Sequence, residues 1–286
     1  MCDLSVRAIT QLISRGSMFR HVPLAPMERR RIDTLLAERG LAGSRTSAAE
    51  SVRAGRVRIG RDGPRATKPG QLVSRDVELL VDGERRYVSR GGLKLEHALK
   101  EFQMDVSGRR CLDVGASTGG FTDCLLRRGA ERVIALDVGY GQLDWTLRND
   151  PRVEVMERLN ARHLRPDELP YYPDLATIDV SFISLGKVLP AVAGCLAGDG
   201  EILALVKPQF ELGRGRVRGG VVRSPEERRE ALLLVARAAR ESGLAVTGFA
   251  PSGLPGPKGN RETFIRCATA GAEIAELEAT IAELEA

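Results

Sequence analysis

The sequence predicts an α/β protein: a Rossmann-like, mostly parallel sheet of seven strands, preceded by a small α+β domain. Three observations lead there. Across residues 91–270 short apolar runs alternate with helical segments, the pattern of a parallel sheet covered on both faces. The first of those runs ends in a small-residue turn, Gly115-Ala116-Ser117-Thr118-Gly119-Gly120. The charge is also divided: residues 1–90 hold 18 Lys and Arg against 10 Asp and Glu, net +8, whereas residues 91–286 hold 25 against 28, net −3. A basic module joined to a near-neutral one suggests that the first grips a polyanion and the second acts on it. At 286 residues the chain is long enough for two such domains.

Composition removes several classes. With 43% hydrophobic and 28% charged residues the chain is not wholly disordered. Cys2, Cys111, Cys124, Cys195 and Cys267 are odd in number, far apart and never in a C-x-x-C pair, so neither a disulfide framework nor a zinc site is expected. No metal is expected, and a reducing cytoplasm fits. The longest apolar stretch, residues 231–239, is broken by Arg237 and falls short of the ~18 residues a spanning helix needs, so a soluble chain is expected. Residues 1–28, with Arg7, Arg15 and Arg20 in a weakly apolar context, make a poor secretory signal and are expected to be a disordered extension.

The elements of the first domain follow in order. A short helix is expected over residues 32–39 with Leu35 and Leu36 inward, stopped by Gly40. A second runs over 44–54, with Ser44 as N-cap and Gly55 as stop. Short strands follow at 57–59 and 77–81, the latter ended by Asp82-Gly83. Arg31, Arg45, Arg53, Arg56, Arg58 and Arg61 crowd this unit. The stretch R-I-D-T-L-L-A-E-R-G-L-A-G-S-R-T-S-A-A-E-S-V-R-A-G-R-V-R-I resembles the S-four RNA-binding module. The resemblance implies that those arginines lie on structured RNA, where phosphates supply affinity and shape supplies selectivity. The domain is read as 29–83, followed by a linker at 84–90.

In the second domain, 91–270, strands are expected at 111–115, 132–138, 153–157, 175–180, 201–206, 244–249 and 264–268. The helix 225–241 is the clearest, with Ser224 at the N-cap, Pro225 at the first helical position and Glu227 three residues after the cap. Residues 271–286 read as an acidic helical tail, docked or frayed, with five glutamates and no basic residue.

The turn after the first strand is G-x-S-x-G-G instead of the dinucleotide pattern G-x-G-x-x-G, and Asp113 precedes it by two residues. An acid there would repel a pyrophosphate but can pair with a cationic α-amino group. That charge logic favours S-adenosylmethionine, whose amino-acid end is zwitterionic and whose sulfonium is positive. Asp137 ends the next strand, where a carboxylate can accept hydrogen bonds from both ribose hydroxyls. Candidate cofactor residues are therefore Asp113, Gly115, Ser117, Thr118, Gly119, Gly120, Phe121 and Asp137. Asn160 joins them near the adenine, with loop capping as its alternative role.

Only six of the 43 basic residues are lysines. Lys94 and Lys207, with Asp179 and Glu262, lie in segments read as loop ends on the carboxyl side of the strands, where open α/β sheets bind ligands. Together with the turn, the segments containing Lys94, Ser117 to Phe121, Asp137 to Gly141, Ser181 to Leu185 and Lys207 to Phe210 resemble the TlyA family. Its members are haemolysin-named ribosomal RNA 2′-O-methyltransferases related to FtsJ-type enzymes. The resemblance runs from about Arg29 to Ala270 and implies a Lys-Asp-Lys-Glu tetrad on Lys94, Asp179, Lys207 and Glu262. It implies methyl transfer to the ribose 2′-hydroxyl of cytidine in small- and, often, large-subunit ribosomal RNA. Such a hydroxyl is a very weak acid, so attack needs a base or strong stabilisation of the alkoxide. Lys207 is read as base or alkoxide stabiliser, Lys94 as orienting the hydroxyl, and the two carboxylates as steering protonation. Exocyclic-amine methylation is disfavoured because Asp179-Val180-Ser181-Phe182 stands where an Asp/Asn-Pro-Pro-aromatic turn would be required. The arginines of residues 213–218 are expected to form an RNA-facing loop. Competing readings are an RNA-binding assembly factor that keeps a cofactor pocket and, from the family's older designation, a membrane-lytic protein.

Overall fold

A computed structural model describes residues 28–39, 41–42, 44–60, 62–82, 86–213, 215–256 and 258–285. The expected extension before Glu28, and Arg61, lie outside these residues. The chain divides into two units after Asp82.

In the first unit β1 (Arg29–Arg31) leads into α1 (Ile32–Glu38) and α2 (Arg45–Arg53), followed by β2 (Val57–Ile59), β3 (Leu72–Ser74) and β4 (Leu79–Val81). Ser44 caps α2 by accepting from the Ser47 amide at 3.1 Å, which satisfies a donor the helix start leaves open. Ile32, Leu35 and Leu36 of α1 pack on Ala48 and Val52 of α2, with Val57, Val73 and Leu79 completing one small core. Each of the buried isoleucine, leucine and valine side chains contributes about 1.5–3 kcal/mol by leaving water. The strands pair antiparallel as β1 with β3 and β2 with β4. The pair β1–β3 is absent from the sequence reading, since an all-arginine triplet carries no apolar alternation.

The second unit comprises α3 (Arg90–Glu101), β5 (Arg110–Val114), α4 (Gly120–Arg127), β6 (Arg132–Asp137), α5 (Trp145–Arg148), β7 (Val153–Glu157) and β8 (Leu175–Ile178). It continues with α6 (Leu189–Ala193), β9 (Glu201–Val206), α7 (Pro208–Glu211), α8 (Pro225–Glu241), β10 (Ala245–Pro251), β11 (Thr263–Ala268) and α9 (Leu277–Leu284). The seven strands form one sheet in the order β10-β11-β9-β8-β5-β6-β7. The five from β5 to β9 pair parallel, while β11 runs antiparallel to both β9 and β10. Apolar cores cover both faces: one gathers residues from α6, α8 and α9, the other from α3 and α4. From β5 the chain goes outward to β6 and β7, then returns to place β8 on the other side of β5. The order in which strands are added therefore reverses between β5 and β8, and open sheets of this kind bind ligands at that point, beyond the carboxyl ends.

The expected linker 84–90 is corrected for its latter half. Tyr87 is buried in the second unit, its ring under the Arg127 guanidinium, and the Val88 amide donates to Asp123 at 2.8 Å. A Cβ on Gly92 would lie 2.3 Å from that ring, so the glycine opens the slot Tyr87 fills. The tail is docked: Leu277 and Ile281 are buried, and Glu285 pairs with the buried Arg228 at 2.5 Å.

Candidate active site

The turn after β5 owes its shape to left-handed backbone at Gly115 (φ 85°) and Gly119 (φ 93°), with Ser117 also positive at 50°. Side chains are excluded at the glycines. A Cβ on Gly115 would sit 2.5 Å from the Asp179 carbonyl oxygen, one on Gly119 2.3 Å from Leu147, and one on Gly120 2.1 Å from the Ser89 hydroxyl. The Ser117 amide donates to Asp137 at 2.8 Å and the Gly139 amide to its other oxygen at 2.6 Å, so the carboxylate at the end of β6 is held in one orientation. Ser117 and Thr118 are exposed beside it. Leu159 donates its amide to the Asp137 carbonyl at 3.2 Å, so Asn160 follows one residue after that contact with the end of β6. The Asn160 side chain caps a short 3₁₀ turn by accepting from the Arg162 amide at 3.1 Å. A narrow glycine cradle beside a fixed, half-buried carboxylate at the switch point has the donor and acceptor set that a nucleoside cofactor needs.

Two residues of the expected cofactor set face elsewhere. Asp113 is fully buried, accepting from the Thr122 amide at 2.9 Å, the Thr122 hydroxyl at 2.7 Å and the Thr177 hydroxyl at 3.3 Å. Burial pushes its carboxyl up to about 7, with the nearby Asp179 charge adding to the rise against Thr122's hydrogen bonds. Its carboxylate ties the start of α4 to β5 and β8. Phe121 is a core residue whose ring packs on Phe264 with centroids 5.8 Å apart.

The four ionisable residues come together as two pairs. Asp179 follows β8, Lys207 follows β9, and Glu262 precedes β11, which in register Thr263↔Val206 sets Glu262 across from Lys207. β8 and β9 are parallel neighbours. Lys94 sits in helix α3, where a loop end was expected, and is buried with its Nζ on Glu262. Lys207 Nζ lies 2.5 Å from Asp179 and donates to the Ser181 hydroxyl at 3.0 Å. Glu262 Oε1 is buried and has no hydrogen-bond partner among the described residues. All four thus gather at the carboxyl ends of β8 and β9, and the close approach of Gly115 to the Asp179 carbonyl joins that end of the sheet to the cofactor turn.

The structure adds two residues. Phe182 has φ 66°, is 89% exposed and stacks obliquely on Phe210 with centroids 5.2 Å apart, making an aromatic platform three residues from Asp179. Glu211, at the end of α7, accepts from the Ser184 hydroxyl at 2.6 Å and the Leu185 amide at 3.0 Å, so it fastens the segment carrying Phe182 to the helix that follows Lys207. Burial raises its carboxyl above the ordinary glutamate value. The strained phenylalanine leaves no mark in a periodicity reading, and Glu211 looks like any helix-end carboxylate. In the loop expected to face RNA, Arg216 is taken by Glu230, with Nη2 to Oε2 at 2.7 Å.

In the first unit Arg31 and Arg45 share one carboxylate, Asp33, at 2.7 and 3.7 Å, which gathers the starts of α1 and α2. Arg53 is exposed at the end of α2, Arg56 donates to the Ser51 hydroxyl at 3.2 Å, and Arg58 pairs with Asp82 at 3.2 Å.

The FtsJ-like methyltransferase family model matches residues 87–269 and the S4 domain model residues 30–79. A Mycobacterium tuberculosis protein named 16S/23S rRNA (cytidine-2′-O)-methyltransferase TlyA is 55% identical over 240 residues, covering 83% of this chain and 89% of that one. A Bacillus subtilis protein named an rRNA methyltransferase, YqxC, is 47% identical over 83% of this chain and 85% of its own. Among solved structures, a hemolysin-named protein of Streptococcus thermophilus superposes with a TM-score of 0.70 at 41% identity, over 91% of this chain and 97% of that one. The chain belongs to the TlyA family, FtsJ-like methyltransferases that carry an S4 domain.

Proposed function

We propose that the protein is a cytoplasmic S-adenosylmethionine-dependent enzyme that methylates the ribose 2′-hydroxyl of cytidine in ribosomal RNA of the small and large subunits. The observation that carries this reading is the convergence of two lysine–carboxylate pairs at the ends of β8, β9 and β11, next to the glycine turn. The names of its relatives supply the substrate class. When bound, the cofactor supplies an electrophilic methyl on a sulfonium; Gly115, Gly119 and the exposed Ser117 and Thr118 accommodate its chain, and Asp137 accepts from its ribose.

The protein's own groups do the remaining work. Lys207 faces the attacking hydroxyl, and either takes its proton or donates to the oxyanion as it forms, a contribution strengthened at a partly dry site. Asp179 at 2.5 Å holds the ammonium in place. Glu262 fixes Lys94, whose Nζ orients the hydroxyl. A flipped nucleotide needs a surface for its base, and the exposed Phe182 ring offers one because every base has a stacking face. The arginines of the S4 unit hold structured RNA by phosphate contacts.

The test is methyl transfer from labelled cofactor to isolated subunits, followed by complete digestion. Label on 2′-O-methylcytidine supports the proposal; label on a base refutes it. No helix among the described residues is long and apolar enough to cross a membrane.

A further inference from the structure

We propose that a cationic cavity beside Glu262 binds a backbone phosphate of the substrate RNA next to the methylated nucleotide. The cavity, of about 350 Å³, lies between residues 221–223 and residues 258–261, and four cations line it: Arg223, Arg228, Lys258 and Arg261. One of them is already neutralised. Arg228 is buried, pairs with Glu285 at 2.5 Å and donates to the Arg223 carbonyl at 2.8 Å, so it builds the wall. Arg223, Lys258 and Arg261 are exposed, and none has a carboxylate partner among the described residues. Arg109, Arg132, Arg148 and Arg266 of the same unit, by contrast, are each paired with an acid.

The cavity is held open by one buried side chain. Asn260 accepts from the Val222 amide at 2.8 Å and donates to the Gly220 carbonyl at 2.8 Å, which fastens the two walls to each other. Gly220, with φ 77°, would bring a Cβ to 3.3 Å from Lys258 Nζ, so a glycine there leaves the ammonium room. A preformed site loses little in ordering its walls when a ligand enters. Two guanidinium groups and an ammonium around one concavity match a phosphate, which accepts from several donors at once. Arg261 directly precedes Glu262, so the cavity opens one residue from the tetrad, on the edge where the ribose is placed. Phosphate contacts fix register without reading sequence; here they would seat the neighbouring nucleotide so that the 2′-hydroxyl falls on Lys207.

This inference rests on the proposed reading of the site as an RNA ribose methyltransferase, and the experiment separates the two. The variants are R223Q, K258Q, R261Q and the triple combination, each with a melting curve to establish folding, assayed on isolated subunits across a range of salt. For the triple variant the KM for RNA is expected to rise at least tenfold near physiological salt. The slope of log KM against log salt is expected to fall by about one, the signature of one lost phosphate contact. Cofactor affinity by calorimetry, and kcat at saturating RNA, stay within twofold. An unchanged KM and salt slope in a folded triple variant overturns the cavity's role. Failure of the wild-type protein to place methyl on ribose refutes the underlying reading instead, whatever the slopes show.

Discussion

Replacing Asp113 by Asn tests how the cofactor turn is anchored. The carboxyl is fully buried, and burial raises it from an ordinary 3.8 to about 7. Between those values the folded protein holds a proton that the unfolded chain has released, so stability falls as pH rises through that window and levels off above about 7. At about 1.4 kcal/mol per pH unit the whole effect amounts to roughly 4 kcal/mol, and the part between pH 5 and pH 8 to roughly 2.5 kcal/mol. Asparagine has no such dependence. Its oxygen can accept both Thr122 donors, and its amide can donate to the Thr177 hydroxyl, which reverses its role from the one it has with the carboxylate. The D113N protein should therefore gain on the wild type by roughly 2.5 kcal/mol between about pH 5 and pH 8, measured as denaturant-unfolding free energies by circular dichroism. A difference that stays constant with pH would show that the buried carboxyl is not held against its charged form.

Other perturbations test the remaining parts of the site. Gly115→Ala forces a Cβ to within 2.5 Å of the Asp179 carbonyl at φ 85°; cofactor affinity by calorimetry should fall at least tenfold, with stability reduced by about 1–3 kcal/mol. Lys94→Met leaves Glu262 buried without its counter-charge and should cost about 3–5 kcal/mol in denaturant unfolding. Lys207→Met should cost less, because Asp179 is 24% exposed against 1% for Glu262. Glu211→Gln can keep both contacts, accepting from Leu185 and donating to the Ser184 hydroxyl, and should leave kcat nearly unchanged. Glu211→Ala frees the Phe182 segment and leaves the Leu185 amide without its acceptor, so kcat should fall about tenfold and unfolding stability by about 1–3 kcal/mol.

What could be read beforehand follows from period and capping. The strands Val153–Glu157 and Glu201–Val206 and the helix Pro225–Glu241 match their expected bounds, since apolar runs with flanking turns and a serine–proline start are local signals. The antiparallel direction of β11 is a tertiary property, yet it is what sets Glu262 across from Lys207. Inside and outside at a turn were also hidden: Asp113 and Phe121 lie on either side of the exposed Ser117 and Thr118 but point into the core. Tyr87 falls within 84–90, expected as a linker; the paired glycines at 91 and 92 are the local hint that a ring packs there. Lys94 falls in a segment expected as a loop end, whereas Ser89 caps a helix there by accepting from the Gly91 amide at 3.3 Å.

The most direct measurement is the position and rate of methyl incorporation by the Lys207→Ala protein on isolated ribosomal subunits, with cofactor binding measured in parallel. The account predicts that the wild type labels 2′-O-methylcytidine and that the variant binds cofactor within twofold of the wild type while transfer falls by at least a hundredfold, in the range a positioned proton-transfer group supplies. Transfer by the variant at the wild-type rate, with cofactor still bound, would contradict it.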